Sequence, residues 1–492
     1  MIYIKPLISI SFLSILFLTP NTVKASSIKG VIDSVTKATA NATVVRGWAC
    51  SEYIDSPVSI NIYARGLDGS KTYIDSSLTS IESEAAIHNI CQTDNSVPHR
   101  FKYTISSNLS QKYEGLFVHV EVEESTLRHS GRFPIDFHDS LYSESKTQCS
   151  SSFVARVLEN RTDGIHVTCN LTIPSESVVQ RKLLFVGAES SNIDINCNNS
   201  ELPGVAVYSR KTILDVEEIS RWTPPKNITF TNCKFNSIVS VMGVSATPHS
   251  QSLSPMASHD LRHSSYSFYH AERVRFYSPK NVSFINSTFD VDGTKLYLSP
   301  GSQEVNVIGS IFKGNSDEVS IYIDAESTAN KIESNYFIDN NPTGRETIAI
   351  DGASYNIIKN NVFANSSRGG IFLYRNCGEG GAVRHETPSF NIIESNYFYN
   401  DSSSTPVIWI ASRNGNRNYC NADSGYPFGS SISDLDLAEN NVVSSNLFEY
   451  GVRIQVDHQP NIVNSNSVMS AYDPPIYQPC TDYTDPKCLE EP

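Results

Sequence analysis

The segment NKIESNYF at 330–337 returns as NIIKNNVF at 356–363, NIIESNYF at 391–398 and NVVSSNLF at 441–448. NIVNSNSV at 461–468 is a decayed copy, and NITFTNCKF at 227–235, NVSFINSTF at 281–289 and NVIGSIF at 306–312 are earlier relatives. Between 281 and 356 the copies start 24–26 residues apart; insertions stretch the later spacings. A period in the twenties, with apolar alternation and an Asn at a fixed place, predicts stacked β-coils, because one such unit cannot bury its apolar face alone. Asn335, Asn361, Asn396, Asn446 and Asn466 then form an internal ladder whose amides satisfy turn backbone and each other. Their role is structural.

A second strand recurs in each coil: LYLSPGS at 296–302, IYIDAES at 321–327, IAIDGAS at 348–354, IFLYRN at 371–376 and IWIASR at 408–413. Leu296, Ile321, Ile348, Ile371 and Ile408 point inward, so alternation sends the intervening residues outward. One outward column reads Tyr297, Tyr322, Ala349, Phe372, Trp409; the next reads Ser299, Asp324, Asp351, Tyr374, Ala411. Glu326, Arg375 and Arg413 lie just beyond. An aromatic stripe beside carboxylates and arginines suits sugar rings and their polar substituents; the alternative is a surface ladder of stacked aromatics.

Three long excursions leave the same corner. One follows IVSVMG at 238–243 and carries His249, His259, His263 and His270 with Asp260 and Arg262. The others follow Arg375 and Trp409. They carry Arg375, Glu379, Arg384, His385, Arg413 and Arg417, a basic patch suited to an anionic polymer, and make the expected wall of one cleft. Cys377 and Cys420 lie on two of them and are expected to pair.

The remainder of the chain sets the context. LISISFLSILFL at 7–18 behind Lys5, with Val23 and Ala25 before a cut, reads as an export signal over 1–25. Removing it takes away two Lys and moves the net charge from −14 to −16. That acidity speaks against nucleic acid as a partner, and no later stretch is apolar enough for a membrane span. Ten Cys in an exported chain imply disulfides. Strand-like runs at 44–50, 58–66, 100–106 and 116–125 predict a small β-sandwich over 26–145, with Cys50 bonded to Cys91 and Trp48 packed beside them. The coils occupy 146–472. A tail at 473–492 holds Cys480 and Cys488 in a small disulfide loop, and the partners of Cys149, Cys169, Cys197 and Cys233 stay open. Only 18% of residues are charged and 10% are aromatic, which excludes a disordered chain.

The repeats resemble the right-handed parallel β-helix of the pectin-lyase-like superfamily, over about 148–470. The resemblance implies an all-β chain in which the β-helix follows the sandwich. It leaves the chemistry open among lyases, glycoside hydrolases, epimerases, tailspikes and adhesins. IAIDGAS, NIIKNNVF and GGIFLYRN are similar in order to the alginate and chondroitin lyase branch, with Glu346 and Arg375 matching its acidic ligand and its arginine. Where that branch carries a Lys, this chain has Asp351-Gly352.

Three functions remain. In the first, a secreted or periplasmic bacterial monomer cleaves an acidic polysaccharide by β-elimination. Tyr374, Arg375, His385 and Arg413 then serve as base, acid and neutraliser, and Tyr297, Tyr322, Phe372, Trp409, Arg384, Arg413 and Arg417 bind substrate. Asp324, Glu326, Glu346 and Asp351 suit Ca²⁺. In the second, Asp324 and Asp351 are the paired carboxylates of a glycoside hydrolase. The third is non-catalytic glycan binding.

Overall fold

The computed structural model describes residues 27–38, 42–66, 69–135, 142, 144–214, 219–243, 270–376, 384–399, 405–414 and 435–469. From Ile165 onward the chain winds through three parallel sheets. The first sheet runs from Ile165–His166 to Ile454–Val456, the second from Leu171–Thr172 to Ile462–Asn464, and the third from Glu201–Leu202 to Ser467–Val468. Each strand pairs in register with its counterpart one coil along, as Ile321 with Ile348 and Ile348 with Ile371. The result is a parallel β-helix.

The inward residues of the first sheet, from Leu296 to Ile410, are fully buried. On the third sheet Phe289, Phe312, Phe337, Phe363, Phe398 and Phe448 stack face to face, with centroids 4.5 to 5.2 Å apart. Each stacked pair adds about 0.5–1.5 kcal/mol beyond the area it buries. Asn335, Asn361, Asn396, Asn446 and Asn466 are linked amide to amide at 2.9–3.0 Å. A second ladder, not read from the sequence, joins Asn330, Asn356, Asn391, Asn441 and Asn461 at 2.9–3.1 Å. The residue before each Asn of the first ladder (Ser334, Asn360, Ser395, Ser445, Ser465) is left-handed, with φ of 53–58°. That turn bends the chain from the second sheet into the third.

Asn361→Ala removes the oxygen that accepts both the backbone and the side-chain N–H of Asn335, at 2.9 and 3.0 Å. It also removes the donor to the Ile332 carbonyl at 2.7 Å. Buried donors and acceptors left unmet destabilise by roughly 1–3 kcal/mol each. The variant should therefore lose at least about 2 kcal/mol in chemical denaturation.

Below the coils the short helix Ser151–Val157 covers the open end, with Ser150 capping it by accepting from the Phe153 N–H at 3.2 Å. Disulfides join Cys149 to Cys169 and Cys197 to Cys233, the latter across adjacent coils.

The preceding segment forms two antiparallel sheets that enclose their own core. Cys50 is bonded to Cys91, and Trp48 packs half-buried against the bond. Two of its strands escape sequence reading: Ile28–Lys37, and Lys71–Leu78, whose solvated face shows no apolar alternation. A hairpin from the coils, Arg210–Leu214 with Ile219–Thr223, places Ile219 in the sandwich core. Trp222, Val274 and Tyr277 close on Phe117, and the Tyr277 hydroxyl donates to the Gly115 carbonyl at 2.5 Å. The small sheets are thereby fastened to the flank of the helix.

Candidate active site on the first sheet

Alternation places Tyr297, Tyr322, Phe372 and Trp409 on the outer face of the first sheet. They are not an open stripe. Tyr297 and Tyr322 meet edge to face at 6.0 Å, as Phe372 and Trp409 do at 5.4 Å, and Phe372 is 8% exposed. Each tyrosine reaches diagonally to the carboxylate of the next coil. Tyr297 donates to Asp324 at 2.7 Å and Tyr322 to Asp351 at 2.6 Å. Trp409 donates to Asp457 at 2.7 Å.

The two aspartates are buried. Like charges one coil apart in a low-dielectric site repel strongly unless a cation intervenes. The sequence offers Ca²⁺ or a shared proton for this role; the structure supplies Arg384. Its Nη2 sits 3.3 Å from Asp324 and 3.1 Å from Asp351, and its Nε donates to Asp351 at 3.2 Å. Burial pulls the guanidinium pKa down, but Asp351 and Asp324 outweigh it and raise it well above the usual value. Asn376, which sequence reasoning missed, donates its backbone N–H and its amide to Asp351 at 2.7 and 2.8 Å.

Burial raises the Asp324 pKa, Arg384 opposes the rise, and Asp351 reinforces it. A carboxyl whose folded pKa is raised contributes stability below its unfolded value, near 3.8, and loses it as pH rises through the folded value. Asp324→Asn has no such titration. Measured by thermal unfolding, it should gain on the parent as pH rises from about 4 to neutrality. Asp351→Asn removes the main partner of Arg384 and should destabilise at every pH in that range.

A second cluster surrounds Tyr374. Its hydroxyl donates to Glu346 at 2.9 Å and accepts from Arg345 at 2.7 Å, and Arg345 pairs with Glu346 at 2.9 Å. The Arg413 guanidinium lies 3.9 Å from the centre of the Tyr374 ring and donates to Asn376. Burial, then Glu346, raises the Tyr374 pKa well above its usual value, against the pull of Arg413 and Arg345. Arg345 is a further residue that sequence reading missed. Its signal was its place directly before Glu346 at the entry to the IAID strand.

Several expected roles change with this geometry. Arg375 is 2% exposed and does not face outward. Tyr374 takes the outward position, so the next residue turns in, and its guanidinium donates to the Leu435 carbonyl at 2.6 and 3.1 Å. Arg384 and His385 are buried as well, so they do not form an exposed basic patch. His385 Nδ1 lies 3.2 Å from Glu326. Glu326 thus pairs with His385 and Glu346 with Arg345, while Asp324 and Asp351 share Arg384. These carboxylates do not fit a Ca²⁺ cage, and among the described residues no three His, Cys, Asp or Glu converge as metal ligands. Arg417, Glu379, Cys377, Cys420, Cys480, Cys488, His249, His259, Asp260, Arg262 and His263 lie outside the described residues, as does the His270 side chain.

Residues 221–383 match the family described as "Right handed beta helix region". No curated protein matches the chain. Among solved structures it is similar to a DFA-IIIase from Arthrobacter chlorophenolicus A6 without its lid, at 10% identity, with 67% of this chain and 88% of that one covered and a TM-score of 0.27. A Yersinia enterocolitica family 28 exopolygalacturonase matches at 9% identity, over 89% and 99% of the two chains, with a TM-score of 0.20. An alginate lyase from Paenibacillus sp. str. FPU-7 matches at 10% identity, over 65% and 94%, with a TM-score of 0.19. The fold is the right-handed parallel β-helix.

Proposed function

We propose that the chain is an exported enzyme that cleaves a uronate-containing polysaccharide by β-elimination at Tyr374. The observation that carries this reading is the setting of that phenol: its oxygen lies between Arg345 and Glu346, and Arg413 covers its ring. Elimination needs a cation beside the uronate carboxylate, a base for the adjacent carbon-bound proton, and an acid for the departing oxygen. Arg345 and Arg413 supply the cations. Both are only half-buried, so they are the groups a substrate carboxylate meets first. Drawing Arg413 toward that carboxylate uncovers the ring. A tyrosine with a raised pKa stays protonated at neutral pH and suits the role of acid. Glu346 is the carboxylate placed to take the carbon-bound proton. The C–H electron pair then becomes the new double bond, and the glycosidic oxygen leaves with the tyrosine proton.

The hydrolase reading has less support. Inverting hydrolysis needs carboxyl groups about 6.5–9.5 Å apart with water between them. Here Asp324 and Asp351 both lie within 3.3 Å of one guanidinium nitrogen, which occupies that space.

Export agrees with three disulfides among the described residues. No described helix is long and apolar enough to cross a membrane. The test is incubation with alginate, polygalacturonate and glycosaminoglycans, followed for unsaturated-uronate absorbance and for reducing ends. Both should rise together on one polymer. Reducing ends without absorbance would overturn elimination in favour of hydrolysis.

A further inference from the structure

At the turn from the first sheet to the second, one residue per coil is left-handed. The column reads Asn192, Asn227, Asn281, Glu304, Ala329, Tyr355, Phe390 and Asn440, with φ between 52° and 60°. Asn takes this conformation more readily than most residues, and Asn227 and Asn281 each donate an amide N–H to the Asn before them, at 2.8 and 2.9 Å. A bulky aromatic there is strained.

Two consecutive coils nevertheless place aromatics at this point. Tyr355 and Phe390 stack with centroids 5.0 Å apart and planes 4° from parallel. They remain 56% and 45% exposed. Core packing does not account for rings so open to solvent, and Asn occupies the same turn in four other coils, at Asn192, Asn227, Asn281 and Asn440. One coil below Tyr355 the column falls to Ala329, whose methyl cannot continue the stack. The gap has the height of one coil, about 4.8 Å, which is room for one more flat ring. A hydroxyl residue precedes each of Ala329 and Tyr355 in the chain. The Thr328 hydroxyl donates to the Ser354 carbonyl at 2.9 Å, and the Ser354 hydroxyl donates to Glu386 at 3.0 Å. A flat aromatic face left open to solvent is the surface on which the C–H face of a pyranose ring stacks.

We propose that Tyr355 and Phe390 form an accessory sugar-binding site, with a pyranose ring lying over Ala329 as the third member of the stack. The site is separate from the Tyr374 cluster, and it rests on the reading that the chain takes a polysaccharide. It would hold a polymer around the corner from the reacting groups.

The test is affinity electrophoresis of the full chain in gels containing alginate, polygalacturonate or dextran. The parent is compared with Tyr355→Asn, Phe390→Asn and the double variant, and thermal unfolding is run alongside. The expected result is retention of the parent by at least one polymer and about tenfold weaker retention of the double variant. Its melting temperature should be unchanged or raised, because Asn suits the left-handed turn. Equal retention of parent and double variant overturns the site. A lowered melting temperature also overturns it, since a purely structural stack predicts that outcome. Retention by none of the polymers overturns it too. If that same protein still cleaves a polymer, the proposed activity stands and only the accessory site falls.

Discussion

Tyr374→Phe should lower turnover of the cleaved polymer by about 10²–10⁴-fold, the usual contribution of a positioned proton donor. The ring stays in place under Arg413, so the fold and the binding of polymer should change little. The phenol oxygen alone links Arg345 to the ring and donates to Glu346. Its loss leaves Arg345 still paired with Glu346 at 2.9 Å, so the cations persist while the acid is gone. The measurement is kcat beside a melting curve. A folded Tyr374→Phe protein with parental kcat would remove Tyr374 from the chemistry. Tyr322→Phe makes a useful comparison. That hydroxyl also serves a buried carboxylate, Asp351, and its loss should register in stability more than in kcat.

The second large effect falls on the fold. Arg384→Met leaves two buried aspartates facing each other without their cation. Removing one partner from a buried ion cluster destabilises by about 3–5 kcal/mol. The loss should appear in the denaturation midpoint and be greatest at neutral pH, where Asp324 is most driven to ionise. Adding Asp324→Asn and Asp351→Asn to Arg384→Met should recover much of it, because an uncharged cluster has no unpaired charge to bury. Failure of the triple variant to recover would mean that Arg384 acts chiefly through its packing.

The coils were legible in the sequence because their causes are local: an apolar alternation, a left-handed residue before a fixed Asn, and a Phe two places later. Register followed from the same spacing, so Leu296, Ile321, Ile348, Ile371 and Ile408 align from the sequence alone. The sheet face could be named in the same way. Its electrostatics could not. Arg384 reaches Asp324 and Asp351 from an insertion that obeys no period, and Asn376 enters by the same route. Both had to be located in space before the aspartates could be seen as compensated. Arg375 obeys the alternation when it is carried one residue past the strand: with Tyr374 outward, its side chain is turned from that face and buried. The diagonal pairs Tyr297 with Asp324 and Tyr322 with Asp351 were within reach of the aligned columns. They are missed when each column is read alone.

In the three parallel sheets each strand pairs only with its neighbours along the axis, which gives the chain a natural unit of growth. A duplicated coil placed above Asp457 or below Leu296 would lengthen the molecule and leave every contact between Tyr297 and Arg413 in place. The same coil inserted between Leu298 and Ile321 would part Tyr297 from Asp324 while leaving the asparagine and phenylalanine stacks intact, since any coil can continue them. The scaffold therefore tolerates changes of length that the site does not, and the site marks the stretch of the chain whose coil count is fixed.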